Sequence, residues 1–569
     1  MIKAEISKFV GEAVKKLFTC ETPFEILVPE NENFGHYSTN AALKLAKNFK
    51  QNPMEIAESI KYQVLSINKD FFEKIEVVAP GFINFWISPK ILQENIKEIL
   101  SKKEKFGKGK KKNKTIIIEY SSPNIAKPLG IHHLRSTVIG QAINDILKAD
   151  GYKTISLSFP GDWGTQFGLL IAGYKRWGSK EKIKKDPISE LLNLYIRFSA
   201  AAKENPELLN EGRNEFKRLE DGDKENLKLW KWFSKESMKG FEKIYKVLGV
   251  KIENVIPESF YEPELKKLVR EIVDRKIAKI GEDGSVVIPI PGSETPEIIQ
   301  KSDGATIYTT RDLAAIRHRF KKWKADKILY VVANDQTFHF SQVFKCAEIL
   351  GFAKPGQLEH VKFGMMLGEG GKKFATREGK LIKLEDVLNE AVKRSEEIVK
   401  KLNPKISATE KKKISEIVGI GAVKFFDLSQ NRTSDIIFDW DKMLNLKGSS
   451  APYIQYAYAR FKNVLKKSKT KIDKKAKFSL LGTKTEMDLI FHLSRFGEAV
   501  EDAAKTYEPN KIADYLLKLA EKANAFYETS PVLKSEKPLM EARLALIEAT
   551  TLVIKKGLNL LGINVLEKM

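Results

Sequence analysis

The spacing of apolar residues changes from region to region along this chain, and each change predicts a different kind of element. Over residues 1–105, helical stretches at Ala41 to Lys47 and Pro53 to Ile60 mix with strand-like runs at Phe24 to Val28 and Phe82 to Ile87, the pattern of a small α+β domain. The continuous apolar run Thr115-Ile-Ile-Ile118 predicts a buried strand. A Ser-Pro-Asn turn follows, and then Leu134, Val138, Ile139, Ala142, Ile143, Ile146 and Leu147 recur at helical spacing. Lys153 to Leu157, after Gly151, supplies a second strand and completes a β-α-β unit.

A lysine-rich helical stretch over about 178–255, with Trp230 and Trp232 inside it and Trp177 at its edge, interrupts the α/β pattern. Gly284 to Pro291 and Lys327 to Val332 resume it, so the stretch reads as an insertion in an α/β domain placed at 115–392. From 393 to 569 nearly every segment is helical by period, which predicts an all-α region with its own core. Lys102 to Lys114 is charge-dense and punctuated by glycine, reading as an exposed linker, with an RNA-contacting basic strip as the alternative.

Composition bounds the partners. Among 569 residues, 98 basic against 74 acidic side chains leave a net charge of +24, which favours a polyanion, although a lysine-rich genome gives the same balance. Cys20 and Cys346 stand far apart, so neither a disulfide framework nor a zinc-holding Cys-x-x-Cys pair is expected. The N-terminal residues lack the pattern of a signal peptide and no apolar run is long enough to cross a bilayer, so the expectation is a cytoplasmic protein with no membrane partner.

The chemistry concentrates where the first strand feeds the first helix. A helix N-terminus attracts phosphate through its free N–H groups and dipole, and Lys127, His132 and His133 lie at that end. Neither Gly-x-Gly-x-x-Gly nor Gly-x-x-x-x-Gly-Lys-Ser/Thr is present, so this is another way of holding a nucleotide. A glycine-rich loop, Gly368 to Gly379, carries Lys372, Lys373 and Arg377, which can close over a triphosphate. Tyr308-Thr-Thr-Arg-Asp312, Asn334-Asp-Gln336 and Glu119 with Asn124 offer the acids and amides that a planar guanidinium pairs with. Arg311 and His339 are equally at home as scaffold hydrogen bonders, and Trp163 reads as core packing.

The run from Glu119 to Thr137 resembles the first signature of class I aminoacyl-tRNA synthetases. Its flanks Ser122-Pro-Asn-Ile-Ala-Lys127 and Leu134-Arg-Ser-Thr137, with Gly161-Asp-Trp-Gly-Thr-Gln-Phe-Gly168, are similar to the arginyl-tRNA synthetases in particular. Two departures stand out. Gly130-Ile131-His132-His133 replaces the usual His-hydrophobic-Gly-His, and Lys373-Phe-Ala-Thr376 replaces Lys-Met-Ser-Lys. In the family, sequences lacking that last lysine carry one in the Ala-Lys-Pro segment, here Lys127, and His132 is expected to serve for the absent first histidine.

The resemblance implies an arginine–tRNA ligase with a Rossmann-type core and a C-terminal anticodon-binding domain, using ATP with accompanying Mg2+, L-arginine and tRNA(Arg). A monomer without zinc is expected. By the same resemblance Gly130, His132, His133, Met366 and Thr376 contact ATP, while Glu119, Asn124, Tyr308, Asp312 and Gln336 hold arginine. Phe82 and Asn84 match tRNA-elbow contacts of the N-terminal domain, and Tyr453, Tyr456, Tyr527 and Met569 match anticodon-loop contacts. Two rivals are an inactive RNA-binding relative and a class I ligase for another amino acid.

Overall fold

The computed structural model describes residues 1–20, 22–368, 371 and 382–568. Its centre is a sheet of five parallel strands in the spatial order Leu358–His360, Lys327–Tyr330, Thr115–Glu119, Lys153–Ser158, Asn254–Val255. Ile116, Ile118 and Tyr120 pack into one core with the His132–Ala149 helix, whereas Ile117 packs into a second core with Tyr330, Leu313 and Ile316. Burial on both faces is why the first strand reads as an unbroken apolar run. The next two strands in sequence add on one side of Thr115–Glu119 and the last two on the other, and a crevice opens outside the carboxyl ends of Thr115–Glu119 and Lys327–Tyr330, where the order reverses.

Not every strand-like run joins this sheet. Gly284 to Pro291 contributes only Val286–Ile288, and that piece pairs antiparallel in a separate three-stranded sheet with Lys279–Ile280 and Glu297–Gln300. The candidate strand before Leu367 shortens to Met366–Leu367, which pairs in parallel with Ile436–Ile437. The insertion comprises four helices, Lys180–Lys185, Pro187–Glu204, Pro206–Glu220 and Lys224–Leu248. Its long members begin at Asp186, Asn205 and Asp223, whose side chains accept the first backbone N–H groups.

A four-stranded antiparallel sheet backed by helices forms the N-terminal region. It docks on the C-terminal helices: the Tyr37 hydroxyl donates to Glu498 at 2.8 Å, and Lys522 pairs with Glu32 at 3.1 Å. The expected exposed linker is pinned instead. Gly109 and Lys112 donate N–H groups to Ala149 and Gly151, Phe106 is buried, and Lys556 of the last helix donates to the Glu104 carbonyl. Most of its lysines stay exposed while its backbone makes the joint, and Lys112 adds an ion pair with Asp150. Among the described residues no helix is long and apolar enough to cross a membrane.

Candidate active site

The signature loop is held from several directions. Asn124 forms a parallel bridge with Gly161, where an added Cβ would collide with the Asn124 side-chain oxygen, so glycine is required for the approach. Gly168 likewise has no room for a Cβ, because the backbone of Gly212 lies against it. At the other end of the loop Gly130 bridges Lys383, and Leu384 donates its N–H to Leu129. The segment following the second signature is thereby fixed to the first.

Arg135, 1% exposed, locks the helix in place. It pairs with buried Asp427 at 3.0 Å and donates to the carbonyls of Gly364 and Ser434 at 2.6 and 2.9 Å. Its neighbours in the motif are polar but not free, since Ser136 donates to the Val331 carbonyl and Thr137 to the His133 carbonyl.

The two histidines differ. His132 is exposed at the helix start, whereas His133 is half-buried and its Nδ1 accepts the Gly130 N–H at 3.0 Å. Accepting at Nδ1 leaves the proton on Nε2, so His133 offers a neutral N–H donor. Burial lowers both pKa values, that of His133 to about 3, with the adjacent His132 adding to the effect. The shifts favour rings that offer a ligand hydrogen bonds. Lys127 is half-buried and its Nζ lies 5.7 Å from the centroid of the Tyr195 ring in the insertion.

Across the sheet lies the acidic crevice. Asp312 on the Tyr308–Trp323 helix meets His339 on the Thr337–Ile349 helix at 2.7 Å, joining the N-terminal ends of the two helices. Tyr308 is 71% exposed at the mouth, and Gln336 is exposed in the short helical turn after the strand Lys327–Tyr330. Glu119, expected near the α-amino and carboxylate ends of arginine, already has a partner. It is buried at the strand end and paired with buried Arg319 at 2.5 Å. Arg319 also donates to the Tyr330 hydroxyl at 3.1 Å, and its guanidinium lies over the rings of Phe159 and Tyr330. Arg311 serves as scaffold, paired with Glu262 at 2.6 Å.

Spacing analysis missed Glu258. Its carboxyl faces Gly161, and its pKa is pushed up to about 7 by burial and by the nearby carboxylates Asp312, Asp162 and Glu262, against the opposing pull of Arg311. It sits in Pro257–Glu258–Ser259, a stretch with no recognisable motif, and only the fold brings it to Asn124 and Asp312. Lys372, Lys373, Thr376, Arg377 and Met569 lie outside the described residues, while Met366 is buried in its short strand. Trp163 packs edge-on against Trp230, 5.5 Å between centroids.

Comparison with known proteins decides the family. Residues 95–440 match the model described as tRNA synthetases class I (R), catalytic domain, residues 454–569 the DALR anticodon binding domain, and residues 2–87 the arginyl tRNA synthetase N terminal domain. The arginine–tRNA ligase of Fusobacterium nucleatum is 41% identical, with 99% of each chain covered, and that of Clostridium botulinum strain Okra is 41% identical over 96% of each. This chain belongs to the arginyl-tRNA synthetase family. Among solved structures, arginyl-tRNA synthetase from Plasmodium falciparum superposes with a TM-score of 0.84 at 27% identity, covering 100% of this chain and 99% of that one. The Thermus thermophilus arginyl-tRNA synthetase has the same TM-score of 0.84 at 22% identity, with 100% of both chains covered, and shows the shared fold.

Outside the catalytic region of this arginyl-tRNA synthetase family member, four of the sequence-predicted RNA contacts line two clefts. Phe82, exposed, and Asn84, 3% exposed, line one of about 660 Å3 in the N-terminal region. Arg460 lies between the rings of Tyr456 and Tyr527, 4.9 Å from each centroid, at the side of a lysine-lined cleft of about 900 Å3. Tyr453 is tied to the same group, its hydroxyl accepting at 3.0 Å from Asn524, which in turn accepts from Arg460 at 3.2 Å.

Proposed function

We infer that this chain is an arginine–tRNA ligase that activates L-arginine with ATP and transfers it to tRNA(Arg). The observation that carries the reading is the acidic crevice placed across the sheet from the signature loop. A guanidinium entering at Tyr308 meets Asp312, held by His339, and Glu258, which loses its proton readily once a cation sits beside it. Gln336 adds a polar group for the side chain, and Asn124 serves the amino and carboxylate ends.

ATP lies on the signature side in this reading. The neutral His133 Nε2–H and the exposed His132 ring hydrogen-bond phosphate oxygens, and Lys127 supplies the charge that stabilises the α-phosphate as the arginine carboxylate attacks and pyrophosphate leaves. Lys372, Lys373 and Arg377 belong to the loop that would cover the nucleotide from the other side. Magnesium would accompany ATP in this reading. The RNA rests on the Phe82 cleft and on the Tyr456–Arg460–Tyr527 stack, where aromatic faces and lysines suit unstacked bases and phosphate. The chain acts as a monomer in the cytoplasm.

Arginine-dependent pyrophosphate exchange with and without tRNA(Arg), and aminoacylation of that tRNA, test the reading. Lysine, citrulline and canavanine in place of arginine define the amino-acid site, and exchange supported equally by lysine would sink the assignment.

A further inference from the structure

The signature loop contains two non-glycine residues in the left-handed region, Ser121 with φ 52° and Ala126 with φ 63°. An alanine there costs about 1 kcal/mol or more relative to its ordinary conformation. Each is met by a hydroxyl from the same insertion helix, Lys224–Leu248. Ser237 accepts the Ala126 N–H at 3.1 Å, and the Tyr245 hydroxyl lies 2.8 Å from Ser121 Oγ and 3.3 Å from the Ser121 carbonyl. Ser237 and Tyr245 are eight residues apart, which puts them on one face of the helix. Both are buried, as are Ser121 and Ala126.

The residue after Ala126 is Lys127. Its backbone direction is set by the Ala126 turn, and its side chain extends over Tyr195 on the neighbouring insertion helix. Trp230, on the same helix as Ser237, donates to the Asp162 carbonyl at 2.7 Å and so anchors the Gly161 side of the loop as well. We propose that the Lys224–Leu248 helix is a splint for the signature loop, with Ser237 as the positioning residue that holds Ala126 left-handed and so presents Lys127 to the reacting phosphate. This rests on the reading of Lys127 given above. It assigns the insertion a part in the activation step that its sequence, lysine-rich and without motif, does not suggest.

The test is arginine-dependent pyrophosphate exchange by the full-length enzyme with tRNA(Arg), alongside thermal melting. Ser237→Ala should lower kcat about tenfold, the scale of one lost buried hydrogen bond, while leaving KM for arginine within about twofold. Ala126→Gly in the Ser237→Ala background should restore most of the rate, because glycine adopts the left-handed turn without the hydroxyl. Ser237→Ala added to Lys127→Ala should change the residual rate less than about twofold, since a residue acting through Lys127 has nothing left to position. Tyr245→Phe, which keeps the ring, should lower kcat in the same sense if Ser237→Ala proves too unstable to assay. The splint is overturned if Ser237→Ala keeps full kcat, if Ala126→Gly gives no recovery, or if the loss persists undiminished in the Lys127→Ala enzyme. A fully active Lys127→Ala enzyme would instead remove the role of Lys127, and the splint with it.

Discussion

Two buried guanidiniums, carried by helices that pack on opposite faces of the central sheet, do different work. Arg135, on the signature side, spends its donors on Asp427 and on the backbone carbonyls of Gly364 and Ser434, which lie before and after the chain's second signature. Arg319, on the acidic side, pairs with Glu119 at the floor of the crevice and lies over aromatic rings. The first is a joint between segments. The second cancels one carboxylate in a crevice that otherwise holds Asp312 and Glu258, and thus sets how much negative charge remains for a substrate. The signature side therefore works by fixing backbone shape, and the acidic side by adjusting charge.

This contrast is broken most severely at Asp312. Asp312→Asn should lower kcat/KM for arginine by roughly a hundredfold or more, because a desolvated guanidinium loses its charged partner, while KM for ATP stays nearly constant. Pyrophosphate exchange over a range of arginine concentrations reads it, and equal losses for both substrates would mean that Asp312 shapes the whole domain. On the signature side, His132→Ala should slow adenylate formation by about a hundredfold, the usual scale for one transition-state donor. Unchanged activity would leave His133 and Lys127 as the working pair.

Stability separates the guanidiniums next. Arg135→Met and Arg319→Met each strand a buried carboxylate, and each should destabilise the fold by about 3–5 kcal/mol in denaturant titration. Only Arg319→Met should also change KM for arginine, and restoring neutrality with Glu119→Gln should recover stability in that variant. Similar kinetic defects in both would erase the distinction drawn here.

Glu258 gives a pH signature. With its pKa raised to about 7, the carboxyl becomes charged as pH rises through 7, so KM for arginine should fall over that interval, and Glu258→Gln should remove the dependence and raise KM about tenfold. The smallest effect lies between the end regions. His36, half-buried, and His492, buried, lie near the N- and C-terminal contact with pKa values lowered to about 4 and 3, chiefly by desolvation. Their unfolded forms bind protons below about 6.5, so the stability they contribute is present above that pH and is lost as pH falls toward 4. Melting temperature across pH 4–7, flattened in the His36→Gln and His492→Gln variants, checks the sign.

Much of this molecule was legible without coordinates. Continuous apolar runs marked Thr115–Glu119 and Lys327–Tyr330 because both faces of those strands are covered, and helical spacing marked His132–Ala149 and the C-terminal helices. Lys127, His132 and Asp312 could be picked out because their chemistry is tied to local landmarks, a turn or a helix start. Gly284 to Pro291 looked like another strand of the same sheet because apolar alternation does not record its pairing partner. The linker looked exposed because its side chains are charged, although its backbone is docked.

The sequence by itself therefore determined the elements, their order, the family and most of the candidate chemistry, since these depend on short spacings and residue type. Only the tertiary structure decided which acids are free and which are already paired. It brought Arg319 to Glu119, Glu258 to the crevice, and the Ser237 and Tyr245 hydroxyls to the strained turns of the signature loop. Those relations join residues about one to two hundred positions apart, and no local pattern encodes a distance that exists only once the sheet has been wound.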